Sequence, residues 1–188
     1  MRKIQSATFF MLLFLITFFS DSVAQDGESV YLVKPGDILQ ISVWGEEDLQ
    51  GEVLVTPDGG FSFPLVGHLN ARGKTAAQLQ EMVVARLVTY IADPVVTVSL
   101  KQINGNQIYV IGQVKNPGAF VMNHAVDVVQ ALSLAGGTTP FASLNDILIL
   151  RRDGTRQVAL SFRYSDVSRG RGLEQNIQLQ SGDVVIVP

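Results

Sequence analysis

The sequence predicts an α+β fold built in two halves. Apolar residues recur at every second position in several short segments, which is typical of half-buried strands. Two other segments have apolar residues at helical spacing. A tight-turn pair, Asn104-Gly105, separates the halves, so we predict one small domain over 25–104 and a second over 105–188.

The first 24 residues have the features of a secretory signal peptide. Arg2 and Lys3 precede an apolar run over 4–19, and Ser22-Val-Ala24 fits the small-x-small cleavage rule. The alternative is an uncleaved anchor helix, but a membrane span needs about 20 apolar residues. We therefore predict a signal peptide over 1–24 and a mature chain that begins at Gln25.

Composition argues against several classes of protein. The chain has 14 basic and 17 acidic residues, and this mildly acidic balance disfavours a nucleic-acid surface, which needs clustered Lys and Arg. Cysteine is absent, so no disulfide can stabilise the fold in the oxidising compartment to which a signal peptide leads.

The first half is predicted to open with a turn and a strand. Pro35, Gly36 and Asp37 form the turn, because Pro presets φ and Gly accepts a positive φ. Residues 39–43 then alternate apolar and polar side chains, which predicts a half-buried strand.

A hairpin is predicted next. Residues 53–55 begin its first strand, and Pro57, Asp58 and Gly59 supply strong turn chemistry. Residues 61–63 then return with two phenylalanines on one face, which we assign to the core.

A helix and a strand complete the first half. Thr75 and Gln78 have the spacing of a capping box, and apolar residues at helical spacing predict a helix over 76–91. Pro94 stops this helix, and alternation over 96–100 predicts another strand.

The second half repeats a strand-and-helix plan. A strand over 108–110 is turned back by Gly118 into 119–122, and a helix over 127–135 follows. Gly136 and Gly137 end the helix, where a left-handed residue is common.

The chain is then predicted to close with three further strands. A hairpin joins 147–150 to 157–160, a polar loop covers 162–175, and the last strand spans 184–187. Gly182 and Asp183 precede that strand as Gly36 and Asp37 precede the first one. The resulting ββαββ order fits a β-grasp domain, in which one helix packs across a mixed sheet.

Motifs for catalysis, metals and phosphate are missing from the sequence. Its only histidines, His68 and His124, belong to no metal-ligand spacing, and there is no Gly-x-Ser-x-Gly motif or phosphate-binding glycine loop. We therefore predict no enzyme activity, no metal and no cofactor.

Two features leave alternatives open. Glu46, Glu47 and Asp48 are consecutive, so a solvated loop is favoured over a glycosidase carboxylate pair, which must face across a sugar. Trp44 and Tyr31 could stack on sugar rings, but aromatic residues at strand ends more often pack in the core or at a sheet edge.

Arginine is concentrated near the predicted second hairpin. Arg151, Arg152 and Arg156 are candidate contacts for a ligand or a partner, because guanidinium groups bind carboxylates and phosphates bidentately. The alternative is a charged hairpin that keeps the surface soluble.

Taken in order, the turn and strand motifs resemble those of the outer-membrane polysaccharide export family. The motifs that carry the resemblance are YLVKPGDILQISVW at 31–44, TPDGGFSFPLVG at 56–67 and AGG at 135–137. The resemblance implies a polysaccharide export domain over 25–104 followed by a soluble-ligand-binding β-grasp (SLBB) domain over 105–188. The motif residues that we expect to have structural roles are Pro35, Gly36, Asp37, Pro57, Asp58, Gly59, Gly118, Gly136, Gly137, Gly182 and Asp183.

The same resemblance implies a function and partners. Family members look like homo-oligomeric rings that pass capsular polysaccharide or exopolysaccharide outward, contact an inner-membrane co-polymerase and catalyse nothing. The chain departs from the family in having no cysteine for acylation, and it ends at Pro188 after the predicted last strand. We therefore expect a periplasmic protein, associated with the outer membrane, that works with a separate outer-membrane β-barrel. The alternatives are a monomeric periplasmic sugar- or ligand-binding module and, less favoured, a glycan-processing enzyme.

Overall fold

The first half folds around a three-stranded antiparallel sheet and one helix. The computed structural model describes residues 30–188, so the predicted signal peptide lies outside the described residues. The elements are β1 (Ile38–Val43), β2 (Glu46–Leu54), β3 (Gly60–Phe63), β4 (Gly67–Asn70), α1 (Ala76–Leu87) and β5 (Val96–Gln102). The sheet has the strand order β2-β1-β5, and β3 pairs with β4 in a separate hairpin.

Helix α1 begins as predicted but ends earlier. The Thr75 hydroxyl accepts from the Gln78 N–H, and the Gln78 side chain accepts from the Thr75 N–H, which confirms the capping box. The predicted extension to residue 91 is wrong, since the helix ends at Leu87. Leu87 is its last fully buried residue and Tyr90 is exposed, so the buried face of the helix stops at Leu87. Ile91 packs against the core from the turn that follows.

The predicted first hairpin is also wrong in its pairing. Residues 53–55 lie at the end of β2, where Leu54 pairs with Ile38 of β1. Residues 61–63 pair instead with β4, although Phe61 and Phe63 are in the core as predicted. The turn reverses the chain, with Thr56 N–H donating to Gly60 O at 2.8 Å, but β3 then leaves β2 and pairs with β4.

The acidic cluster lies in a strand instead of the predicted loop. Gly45 adopts φ +80° and lets the chain reverse directly after β1. Glu46 pairs with Val43, and the three acidic residues Glu46, Glu47 and Asp48 begin β2 with exposed side chains. Their predicted exposure is therefore confirmed.

The second half is a five-stranded mixed sheet crossed by one helix. The elements are β6 (Gln107–Gly112), β7 (Gly118–Val121), α2 (Val128–Leu134), β8 (Ile147–Asp153), β9 (Arg156–Phe162), α3 (Tyr164–Val167), a 3-10 turn (Leu173–Gln175) and β10 (Val184–Val187). The strand order is β7-β6-β10-β8-β9, with β10 parallel to β6 and antiparallel to β8. This arrangement confirms the predicted α+β class.

The segment over 162–175 is more structured than the predicted loop. Phe162 ends β9 and is fully buried, and α3 and the 3-10 turn follow it. Tyr164 and Val167 pack against the core of the second half, so apolar contacts hold this polar segment in place.

Each half has its own hydrophobic core. The first core includes Leu39, Ile41 and the α1 residues Leu79, Val83 and Leu87. The second joins residues of α2 to the inner face of the five-stranded sheet. The predicted boundary at 104/105 lies between them and stays a prediction. None of the helices within 30–188 has the length and apolar content of a membrane span.

Candidate functional site

The Gly36-Asp37 turn fixes the start of the first sheet. Gly36 has φ +95° and donates its N–H to Val55 O at 2.8 Å, and Val55 N–H donates back to Asp37 O at 2.9 Å. The Asp37 carboxylate is fully buried and accepts from the N–H of Lys34 at 2.8 Å. The Asp37 side chain thus provides a hydrogen-bond acceptor for a backbone N–H of its own turn.

The Gly182-Asp183 turn has the same hydrogen-bond plan. Gly182 has φ +90° and donates to Gln107 O at 2.8 Å, while Tyr109 N–H donates to Asp183 O at 2.9 Å. The buried Asp183 carboxylate accepts from the N–H of Gln180 at 2.8 Å, again three residues earlier. The repeated Gly-Asp in the sequence therefore corresponds to one local structure used twice, each time leading into a strand.

The two buried carboxylates differ in their remaining partners. Asp37 accepts from the Tyr31 hydroxyl and from the Gly105 N–H, both at 2.8 Å. Asp183 instead accepts the guanidinium fork of Arg151, whose Nη2 lies 2.7 Å from Oδ2 and whose Nε lies 3.1 Å from Oδ1. The first turn is thus held by neutral donors and the second by an ion pair.

These partners change the acidity of the groups around the turns. Burial, followed by the hydrogen bond to Asp37, raises the pKa of Tyr31 well above its ordinary value, so the phenol stays protonated. Burial lowers the pKa of Lys34. The hydrogen bond to Asp183 raises the pKa of Arg151, so the guanidinium group stays charged.

Asp37 also connects the two halves. Its bond to Gly105 joins the first turn to the predicted domain boundary, and Lys34 Nζ donates to Asn106 Oδ1 at 2.6 Å. Ser181 Oγ donates to Gly105 O at 2.8 Å, which brings the second turn to the same place. A cleft of about 300 Å³ lies at this junction, and its lining includes Tyr31, Lys34, Asn106, His124 and Ser181.

Gly105 is required where the halves meet. A Cβ at this position would lie 2.5 Å from Pro35 O and 2.6 Å from the Cβ of Lys34. Any larger side chain would therefore separate the first turn from the boundary. The sequence identified Asn104-Gly105 as a turn, but the close approach that requires the glycine is visible only in the structure.

Pro57, Asp58 and Gly59 form a turn that is fixed to the end of β4. The Arg72 guanidinium donates to Pro57 O at 2.9 Å, and the Arg72 N–H donates to Gly59 O at 2.9 Å. The Thr56 hydroxyl donates to Asp58, and this bond is the main cause of a lowered pKa of the Asp58 carboxyl. These contacts are all structural.

The glycines after α2 lie against the β6–β7 connection. Gly136 and Gly137 have φ +76° and +83°, which places them in the predicted left-handed region. Lys115 N–H donates to Gly137 O at 3.0 Å, and a Cβ on Gly136 would lie 2.7 Å from the Asn116 Nδ2. Gly118 begins β7, next to this contact.

The three candidate arginines are not brought together in a pocket. Arg151 is occupied by Asp183 and donates to Gln178 O at 2.9 Å. Arg152 and Arg156 are exposed at the tip of the β8–β9 hairpin. The predicted contact of these residues with a ligand or partner stays a prediction, and Arg152 and Arg156 are free to make it.

The expectation that Trp44 packs in the core or at an edge is wrong. Its side chain is 84% exposed and lines a cleft of about 500 Å³ with Val95, Glu46 and Glu47. The signal was in the sequence, because Trp44 follows Gln40 and Ser42 on the face opposite to the buried residues of β1. Tyr31, by contrast, is held by Asp37.

Metal-ligand geometry is not found in the part of the chain that the structure describes. Within 30–188, no three His, Asp or Glu side chains gather closely enough to hold a metal ion. His68 is exposed beside Asp58, and His124 Nδ1 contacts Ala125 O at 2.8 Å.

Comparison with known proteins assigns both halves. Residues 25–101 match the model described as polysaccharide biosynthesis/export protein, and residues 106–187 match the SLBB domain. The chain belongs to the polysaccharide export family. The first sheet with α1 is therefore the export domain, and the mixed sheet with α2 is the SLBB domain.

Similar proteins carry related names. The chain is 30% identical over 177 residues to the polysialic acid transport protein KpsD of Escherichia coli, covering 90% of this chain and 31% of that protein. It is 29% identical to the capsule polysaccharide export outer membrane protein CtrA of Neisseria meningitidis, covering 90% and 46%. It is 28% identical to the EPS I polysaccharide export outer membrane protein EpsA of Ralstonia nicotianae, covering 84% and 47%. The chain thus spans less than half of the length of these relatives.

Proposed function

We propose that the protein is a component of a machine that exports capsular polysaccharide or exopolysaccharide, and that it acts as a ring-like homo-oligomeric conduit. The observation that carries this proposal is the order of the two matched domains, an export domain followed by an SLBB domain, over 25–187. Relatives over most of the chain are named for polysaccharide transport or export.

The distinctive residues of the family motifs serve structure in this chain. Gly36, Asp37, Gly182 and Asp183 form the two turns that start central strands, and Asp37 also contacts the domain boundary at Gly105. Such residues hold two small domains in a defined relation, which suits a subunit that works through its surfaces.

The acidic cluster does not have the arrangement of a glycosidase. Glu46 and Glu47 are neighbours on one exposed strand, so their side chains leave the backbone in opposite directions. Two carboxyl groups that cleave a glycosidic bond instead flank it, about 5–10 Å apart on opposite sides. This geometry supports a transport component over an enzyme.

The expected location and partners follow from the same proposal. We infer a periplasmic protein, associated with the outer membrane, that receives polymer from an inner-membrane co-polymerase. A monomeric sugar-binding module is the second candidate, and the specific observation in its favour is the 300 Å³ cleft between the domains.

The native mass of the purified protein separates these two functions. Sedimentation or light scattering across a range of concentrations should give a closed oligomer with a discrete mass if the protein builds a conduit. A particle of one chain, about 20.4 kDa or less, at every concentration would contradict the conduit and leave the binding module.

A further inference from the structure

The outer face of the SLBB sheet is apolar. Two rows of three side chains cross β6, β10 and β8 on the side away from α2, and they are Tyr109, Val184 and Leu150 in one row and Ile111, Ile186 and Leu148 in the other. Tyr109 and Ile111 are 41% and 44% exposed. We call these six residues the apolar sheet face.

An apolar outer face is unusual for an isolated sheet. A sheet with one covered face normally carries polar residues on the other, whereas strands that are apolar on both faces are covered on both. Val185 and Val187 already fill the core on the inner side of β10, so Val184 and Ile186 add a second apolar side to the same strand. The composition of the strand thus predicts that something covers the apolar sheet face.

One basic residue borders this face. Arg152 follows Leu150 by two residues and lies on the same side of β8. Arg156 pairs with Asp153 at the tip of the same hairpin and therefore lies on the opposite side of the sheet. Leu150, Arg152 and Val184 line one open cleft of about 450 Å³. Within 30–188 neither arginine forms an ion pair.

The export domain presents a second apolar surface with the opposite charge. The backbone N–H of Trp44 donates to Val95 O at 2.8 Å. This bond places the exposed side chains of Trp44 and Val95 next to each other. Glu46 and Glu47 line the same cleft. We call these four residues the Trp44 cleft.

We propose that the Trp44 cleft of one copy docks against the apolar sheet face of a second copy, with the acidic rim of the cleft facing Arg152. An apolar centre with a charged rim is the usual anatomy of a protein interface, and each surface supplies one half of it. Arginine also binds favourably over an indole face. The two surfaces lie on different domains, so the contact is head-to-tail and can repeat into a ring.

The charge of the two halves supports a second copy as the occupant. Residues 25–105 hold 10 acidic and 5 basic residues, whereas 106–188 hold 6 acidic and 7 basic residues. Head-to-tail packing therefore brings the acidic half of one copy to the neutral-to-basic half of the next, while packing of two like halves would bring acidic surfaces together. An acidic polysaccharide would be repelled by the rim of the Trp44 cleft.

Charge reversal tests the contact. The acidic-rim variant carries Glu46→Arg and Glu47→Arg, and the basic-rim variant carries Arg152→Glu. Each alone places like charges across the proposed interface, so the Kd for self-association should rise by at least about tenfold. Combining all three substitutions in one chain, or mixing the two variants, restores opposite charges and should restore assembly.

Trp44 supplies a local readout, because it is the only tryptophan of the chain. Sedimentation of the full chain should give the mass, and Trp44 emission should shift with protein concentration in the wild type. A control matched to the acidic-rim variant, Glu81→Arg with Glu174→Arg, makes the same change in net charge at exposed positions outside both surfaces and should assemble normally.

The outcomes distinguish this contact from the proposed function on which it rests. Normal assembly of both rim variants, or loss without recovery in the three-substitution chain, overturns the contact and leaves a ring built through another surface. A wild type that remains monomeric overturns both. An emission shift on adding oligosaccharides from the organism's own surface polysaccharide, with none on concentration, would assign the Trp44 cleft to the polymer instead.

Discussion

The ion pair between Arg151 and Asp183 gives the sharpest stability prediction. Three guanidinium contacts reach the carboxylate, the shortest at 2.7 Å, and the Asp183 side chain is only 2% exposed. Arg151→Met keeps most of the aliphatic stem but leaves this buried carboxylate without its cation. Removing one partner of a buried ion pair costs about 3–5 kcal/mol.

The expected cost lies at the low end of that range. Arg151 is 20% exposed, so water reaches part of the site, and Asp183 keeps its bond from the Gln180 N–H. We expect a loss of about 3 kcal/mol in the free energy of unfolding of the SLBB domain. In a domain of about 80 residues, that loss lowers Tm by about 12–24 °C.

Thermal and urea unfolding followed by far-UV circular dichroism would measure the loss. Arg151→Met combined with Asp183→Leu removes both charges and should recover part of the stability, because an apolar pair of similar volume carries no desolvation cost. Arg169→Met removes an exposed arginine and should change stability by less than about 0.5 kcal/mol. A single variant that unfolds within about 2 °C of the wild type, or a double variant less stable than the single, would refute the reasoning.

Three further predictions test other contacts. Gly112→Ala should prevent or severely destabilise folding of the SLBB domain, because the new Cβ would lie 2.0 Å from Val187 O at a residue with φ +93°. The control Gly154→Ala has open space around it and should lower the free energy of unfolding in urea by no more than about 1–2 kcal/mol. Gly136→Val should cost about 1–3 kcal/mol and reduce the oligomer mass in sedimentation. The raised pKa of Tyr31 makes its contribution to stability complete below about pH 10 and lost as pH rises further, so Tyr31→Phe should flatten the alkaline loss of stability in pH-dependent unfolding.

Local chemistry made much of the fold predictable from the sequence. The capping boxes at Thr75 and Asp127 depend on residues three positions apart, and both form. The left-handed glycines at 36, 59 and 136 follow from turns that no other residue adopts at low cost. The alternation over 39–43 placed the first central strand correctly.

The misses depend on contacts that are distant in sequence. Turn chemistry at 56–60 establishes that the chain reverses, but it does not determine that β3 pairs with β4 instead of with β2. Arg151 stood out as part of a basic cluster, yet its partner Asp183 is 32 residues away and nothing local connects them. The exposure of Trp44 followed from alternation, and the general preference of aromatic residues for burial led to the wrong prediction.

The central claim is that the protein moves polysaccharide outward without changing it. The most direct measurement is the amount and composition of polysaccharide in the medium and inside the cell, in a strain that lacks the gene and in the same strain carrying it again. The conduit predicts that polymer of unchanged repeat composition and chain length is retained inside the deletion strain and is released when the gene is restored. Normal release from the deletion strain, or a released polymer with altered linkage or length, would contradict the account.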